Sequence, residues 1–232
     1  MTNELTKFLN ADNLPAVDGG ELANALAEAA DDATTGAGGN RDYLTFSGKT
    51  GQYRLGREGA DIDPDQLYLV EPRTFIGGWV CWKDSKRVDQ IEWSVYKAAE
   101  QAVDVDDLED HGPYRKNSGE GWRKMLGLGL ISCDAMKSQL KFSSNSKSGR
   151  NSIGDLMKSI AARAVAEEPS LPLIYFDSVT FEAQGAQNYK PVLQIDTWVT
   201  RDSASAYIGG SLSKEQLLAG KRPKKKRARK NK

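Results

Sequence analysis

Apolar positions first recur in short alternating runs near residue 43. YLTF at 43–46 and QYRL at 52–55 flank GKTG, with Lys49 and Thr50 held between glycines, which predicts a small hairpin. The block 66–83, QLYLVEPRTFIGGWVCWK, is strand-rich and interrupted at Pro72, and QIEW at 90–93 reads as a further short strand. Residues 122–133, WRKMLGLGLISC, alternate with Leu126, Leu128 and Leu130 on one face and Gly127 and Gly129 on the other. QLKFSS at 139–144 sets Leu140 and Phe142 against Lys141, and NSKSGRN at 145–151 reads as a polar loop. The period then changes. A cap at Asn151 or Ser152 opens a helix running to about Glu167, with Ile153, Leu156, Met157, Ile160, Ala164 and Val165 in one stripe. Pro169 and Pro172 stop it. Strands at 173–181 and 191–199 follow, joined by the turn-rich EAQGAQNY, and the pattern fades after 203 into a short helix at 214–219.

From Phe75 the order is strand, strand, strand, helix, strand, strand. This predicts a mainly β fold: an OB-like antiparallel barrel with its principal helix between the third and fourth core strands. An α+β domain with an unspecified antiparallel sheet stays open as the alternative. One strong helix among six or more strands disfavours a parallel α/β fold.

Composition divides the 232 residues into three parts. Residues 1–42 hold eight acids against two bases and end in TTGAGGNRD. A short helix is predicted across 21–31 from Leu22, Leu26 and Ala30, but the segment has too few large apolar groups to repay the entropy of folding alone. It reads as a flexible acidic arm. Residues 43–201 form the ordered body. Residues 202–232 form an extension whose last twelve residues, KRPKKKRARKNK, carry nine Lys or Arg and no acid. The formal net charge of zero therefore hides an acidic stretch, residues 1–220, with 23 bases against 32 acids, and a cationic tail.

No apolar run approaches the roughly 20 residues of a membrane span, and no basic segment followed by an apolar run suggests a secretory leader. No membrane association is expected. Cys81 and Cys133 are the only cysteines and stand in apolar stretches, as buried, reduced thiols of an intracellular protein do. Two thiols and one histidine make a poor zinc set, and no metal or cofactor is expected. GxxxxGK[ST], GxSxG, HExxH and CxxC are all absent. GKTG lacks the upstream glycine loop and following helix of a phosphate-binding loop. His111, in DHGP, lacks a nucleophile or second ligand nearby and reads as a turn residue. Asp104, Asp106, Asp107, Glu109 and Asp110 crowd one stretch between 102 and 112. Metal clamps draw carboxylates from several ordered elements, so a solvated acidic loop is the simpler reading than a magnesium-dependent nuclease. The chain is not expected to be an enzyme.

Single strands are held by cations along the backbone path and aromatic faces for the bases. Here the two are interleaved. Trp79 and Trp82 stand near Lys83, Trp122 precedes Arg123 and Lys124, and Lys141 precedes a loop with Lys147 and Arg150. Lys224, Lys225, Lys226 and Arg227 in the tail add binding indifferent to base. With regular alternation Trp79 and Trp82 face opposite ways, so not every indole can stack on DNA.

Several segments carry a resemblance: 43–58, 71–87, DHGPY at 110–114 with Gly121–Trp122, KFSSNSKSGRNSI at 141–153, and PVLQIDTW at 191–198. Across residues 43–199 the chain resembles a family of tailed-bacteriophage OB-fold single-stranded DNA-binding proteins. The resemblance implies protection of single-stranded DNA during phage replication or recombination in the host cytoplasm. It implies a binding face drawn from Trp79, Trp82, Lys83, Trp122, Lys141 and Arg150. Phage or host replication and recombination proteins, and self-association, stand open as partners. Proteins of that kind commonly end in an acidic tail, whereas this chain ends in a basic one, with its acids at the front. Binding of RNA or double-stranded nucleic acid through the tail, or a phage structural or assembly role, are the alternatives.

Deleting residues 221–232 should weaken double-strand binding proportionally more than single-strand binding. It should also flatten the slope of log affinity against log salt, by up to about 0.7 for each single-strand phosphate that the tail neutralises. Titrations at several salt concentrations measure this, and an unaltered slope would mean that the tail does not touch DNA.

Overall fold

The computed structural model describes residues 43–219 apart from 57–58, 117, 166–169 and 184. The sequence expectations for the arm at 1–42 and the tail at 221–232, Lys224, Lys225, Lys226 and Arg227 included, lie outside the described residues. The fold is mainly β, one nine-stranded sheet curled into a half-barrel. Its strands are β1 (Tyr43–Phe46), β2 (Tyr53–Leu55), β3 (Tyr68–Val70), β4 (Ile76–Lys83), β5 (Lys86–Ser94), β6 (Gly121–Ser132), β7 (Gln139–Ser144), β8 (Ser170–Ala183) and β9 (Ala186–Thr200). Among the described residues the helices are α1 (Ala98–Gln101), α2 (Lys147–Val165), α3 (Arg201–Ile208) and α4 (Lys214–Ala219). The main path runs β2-β1-β7-β6-β3-β8-β9, and β4 joins β6 on one side and β5 on the other.

β6 divides one edge between two partners. Gly121–Gly127 pair with β4, and Leu130–Ser132 pair with β3. Between them Glu71–Phe75 leaves the sheet in a single 3-10 turn started by Pro72. The gap in the ladder falls at Gly129, whose two backbone groups meet the Thr74 hydroxyl. Thr74 Oγ1 accepts the Gly129 N–H at 2.9 Å, donates to the Glu71 carbonyl at 2.7 Å and lies 3.2 Å from the Gly129 carbonyl. A Cβ on Gly129 would stand 3.0 Å from that of Thr74, tighter than an ordinary contact, so glycine lets Thr74 approach without displacement.

Alternation sorts the apolar side chains into two cores. Tyr68, Val70, Leu128, Leu130, Phe142, Ile174 and Phe176 pack on one face with Ile153 and Leu156 of α2. Leu69, Ile131, Cys133, Leu171 and Leu173 pack on the other with Ala204, Tyr207 and Ile208 of α3 and Leu217 of α4. β9 serves both faces through a register shift. Ile195 pairs with Ile174 while Thr197 pairs with Leu173, so Asp196 is an extra residue and the facing reverses there. Leu193 therefore joins the first core, and Val199 joins the second. The sheet curls around the first core until its two ends meet. Tyr53 of β2 donates its hydroxyl to the Asp177 carbonyl at 2.9 Å and accepts from Val192 N–H at 3.1 Å. Burial pushes that phenol well above its ordinary pKa.

Four features differ from the sequence expectations. β5 is a full strand from Lys86, so four strands rather than three separate Ile76 from α2. Asp84 and Ser85, both in the left-handed region (φ 50° and 61°), form a two-residue turn without the usual glycine. Helix α2 begins at Lys147, inside the expected polar loop, because Ser146 Oγ accepts the Gly149 N–H at 3.0 Å as a helix cap. Its apolar stripe ends early, and Ala164 is exposed. β8 and β9 extend to a tight turn at Gly185, and Pro172 sits within β8 rather than before it. Lastly, the body continues past residue 201. Thr200 caps α3 by accepting from Ser203 N–H, and α3 and α4 bury the second face of the sheet.

Thr74→Val keeps the shape of the side chain and removes the hydroxyl from the gap in β6. It should cost about 1–3 kcal/mol in urea unfolding by leaving Gly129 and Glu71 backbone groups without their partner. Thr74→Ser should restore most of that stability.

Candidate nucleic-acid interface

The register of β4 with β6 divides the expected binding residues between two faces. Trp79 pairs with Lys124 and Cys81 with Trp122, which puts Trp79, Cys81, Lys83, Trp122 and Lys124 on one side. Val80 pairs with Arg123 and Trp82 with Gly121, which puts Trp82 and Arg123 on the other. Trp79 and Trp82 thus point oppositely, as alternation requires.

The first face is covered by residues 95–116, the connection between β5 and β6. Trp79 Nε1 donates to the Val103 carbonyl at 2.8 Å, and Trp122 Nε1 donates to the Glu109 carbonyl at 2.9 Å. Lys83 Nζ donates to the carbonyls of His111 at 2.6 Å and Gly112 at 3.1 Å. Lys124 Nζ lies 5.3 Å from the centre of the Trp79 ring, a cation–π arrangement. His111 stacks obliquely on Trp122, centroids 5.7 Å apart, and its Nε2 is 3.0 Å from Asp89 Oδ2. The Tyr114 hydroxyl is 3.5 Å from Cys81 Sγ. Removal from water, then the Cys81 interaction, pushes the Tyr114 phenol up to about 12.

On the second face Trp82 and Arg123 line a cavity of about 220 Å³ with Ser85, Ser118, Gly119, Glu120 and Asn145. Arg123 is exposed, and Trp82 Nε1 is buried without a hydrogen-bond partner. Gly119 (φ +79°) comes so close to the guanidinium of Arg123 that a Cβ there would clash with it. Glu120 fixes the rim. Its carboxylate accepts from the Arg115 N–H at 2.8 Å, from Arg115 Nε at 2.7 Å and from Asp84 N–H at 3.1 Å. The Arg115 backbone and guanidinium hydrogen bonds hold that carboxyl at about 2, below its ordinary 4.5.

The remaining expected residues border this face. Arg150 Nη1 donates to the carbonyls of Asn145 at 2.6 Å and Lys124 at 2.9 Å, bridging α2 to the free edge of β6 that β7 leaves uncovered. Lys147 is exposed at the first turn of α2. Lys141 reaches Glu92 at 2.6 Å as an ion pair, so its charge is already answered. Asn145, Ser85 and Ser118 escaped the sequence reading. Treating KDSK as a two-residue hairpin turn would have set Ser85 beside Trp82.

The acidic stretch does not converge on a metal. Asp104 accepts from Asp106 N–H and Asp110 from Gly112 N–H, while Asp106, Asp107 and Glu109 are exposed. Among the described residues no group of three or more His, Cys, Asp or Glu side chains is arranged to hold a metal ion. Among them also, no helix is long and apolar enough to cross a membrane. None of the family models, curated proteins or solved structures compared with the chain matches it.

Glu120 has its pKa lowered by folding, so its contribution to the rim is complete above the unfolded value. It disappears as pH falls from about 4.5 towards 2. Amide exchange at Asp84 and Arg115, measured by mass spectrometry across that range and corrected for intrinsic rates, should show protection falling. Glu120→Gln should flatten the pH dependence.

Proposed function

We propose that this protein binds single-stranded DNA without sequence preference and without catalysis. The observation that carries the reading is the cavity shared by Trp82 and Arg123. An indole face and a guanidinium plane are the two surfaces on which unstacked bases rest, and both tolerate any base. Asn145, Ser85 and Ser118 supply hydrogen-bonding groups at its walls. Lys147 and Arg150 lie in the first turn of α2, shortly after the cavity residue Asn145, where a phosphate backbone leaving the cavity would run. The twelve-residue basic tail adds binding that depends on charge alone.

In this reading the curled sheet with α2 against its inner core is an OB-like barrel, and the relationship is to the phage single-stranded DNA-binding proteins that the sequence resembles. The cellular setting is then the host cytoplasm during phage replication or recombination. The four strands between Ile76 and α2 and the short parallel pairing of β1 with β7 are departures from a five-stranded barrel. The tail, with nine positive charges in twelve residues, favours a second reading, in which double-stranded DNA or RNA is bound chiefly through 221–232.

Trp82→Ala and Arg123→Ala separate the two. Each should weaken oligo-dT binding by about 1–3 kcal/mol, roughly 5- to 150-fold, with double-strand affinity nearly unchanged. Fluorescence titrations beside thermal melts read the loss of affinity apart from any loss of fold. Unchanged oligo-dT affinity in both stable variants would remove the cavity from the site and leave the tail as the binding element.

A further inference from the structure

The connection over the first face is thinly attached. Its regular structure is one 3-10 turn at Val95–Lys97, the four-residue α1 and another 3-10 turn at Val105–Asp107. No described residue from 95 to 116 is fully buried. Val95 at its start packs against the first core. From residue 98 on, what holds it to the sheet is mainly polar: the two indole N–H bonds, the Lys83 ammonium, the Cys81–Tyr114 interaction and the His111–Asp89 pair. Segments with little buried apolar surface open locally at far less cost than the strands beneath them.

The surface changes character when this segment lifts. Closed, it presents Asp104, Asp106, Asp107, Glu109 and Asp110, all exposed. Open, the same region presents the indoles of Trp79 and Trp122 and the Lys83 ammonium beside that of Lys124, which is exposed in both states, on adjacent strands. A single strand of nucleic acid is repelled by the first surface and held by the second. That difference in affinity is what a ligand needs to shift a conformational equilibrium. The two faces also connect. Gly121–Met125 of β6 form no ladder with β7, so a strand leaving the Trp82–Arg123 cavity can pass over that edge to Trp122 and Lys124.

We propose that residues 98–114 are a displaceable acidic strap, closed over a second single-strand-binding strip formed by Trp79, Lys83, Trp122 and Lys124. The proposal rests on the single-strand reading above and adds a gate to it. The closed strap limits binding to the Trp82–Arg123 cavity. A strand long enough to cross the β6 edge displaces the strap and engages both faces.

Cys81 reports the strap without DNA. Its thiol is buried beside Tyr114, whereas Cys133 lies in the second core with its pKa pushed up to about 12 by burial. In His111→Ala, maleimide should label Cys81 about fivefold faster than in the native protein, while Cys133 stays unlabelled. Equal labelling of Cys81 in both proteins, no faster than Cys133, would overturn the strap. Hydrogen exchange on the native chain with a long oligo-dT gives the second test. Exchange should rise across 98–114 and fall across 79–83 and 121–124, and Trp122→Ala, which removes the stacking face, should abolish the fall at 121–124. Oligo-dT that quenches Trp fluorescence but leaves 98–114 unchanged overturns the strap and leaves the single-strand reading standing. No binding of oligo-dT at low salt overturns both, whatever the labelling shows.

Discussion

β6 can pair two strands along one edge only because the gap between them is filled at Gly129. β3 stops at Val70 and β4 starts at Ile76, and a ladder interrupted in a covered sheet would leave an N–H and a carbonyl without partners. Thr74 supplies the missing group from a turn whose own start is capped by Glu71. Glu71 is buried, and Arg201 at the start of α3 neutralises it at 3.0 Å. Removing Arg201, which is itself partly exposed, would leave the buried Glu71 carboxylate without its counter-charge and destabilise the splice. The splice therefore couples three things. It lets β4 and β5 diverge from the β3–β8–β9 part of the sheet, it fixes α3 against the second face, and it frees the far end of β6 to carry Trp122 and Arg123.

That divergence creates two environments on one sheet. Near β3 both faces are covered, one by α2 and the other by α3 and α4. Near β4 neither face has a helix of comparable size. One takes the 95–116 connection and the other is left with the Trp82–Arg123 cavity. Two tryptophans whose N–H groups bond to a loop are half-buried without a well-packed core around them. Indoles combine a large apolar surface with a single donor, so a carbonyl on a loosely attached segment is enough to satisfy them.

The core was legible in the sequence because period-2 patterns survive wherever a strand is covered. Leu126, Leu128, Leu130, Leu140 and Phe142 declared their faces directly. The helix stripe from Ile153 to Ile160 was equally plain. What the pattern hid were features set by single backbone positions. Asp84 and Ser85 turn the chain without glycine, Ser146 starts a helix inside a glycine-containing loop, and Asp196 reverses the facing of β9. Each is a local event that average alternation smooths over. α3 was missed because Ala204, Tyr207 and Ile208 are spaced among serines that lower the apparent hydrophobicity.

The candidate site was legible by residue type and not by grouping. Aromatic and cationic side chains adjacent in sequence on a strand point to opposite faces, so Trp122 and Arg123 cannot share a surface. Trp82 and Arg123, in different strands, do share one. Counting aromatic–cation neighbours along the chain therefore yields candidate residues but pairs side chains that lie on opposite faces. Correct grouping needs the β4–β6 register, in which Val80 pairs with Arg123 and Trp82 with Gly121. The turn beside it depends on the extra residue Val88, which lets Trp82 pair with Arg87 while Cys81 pairs with Asp89. Without that bulge in β5 the β4–β5 turn would fall at a different residue, and Ser85 would leave the wall of the cavity. The acidic run shows the same dependence. In sequence it is a solvated loop, and in space it is one too. Its significance comes from the backbone carbonyls of Val103, just before it, and Glu109, within it, which reach the two indoles, and no property of the carboxylates themselves reports that.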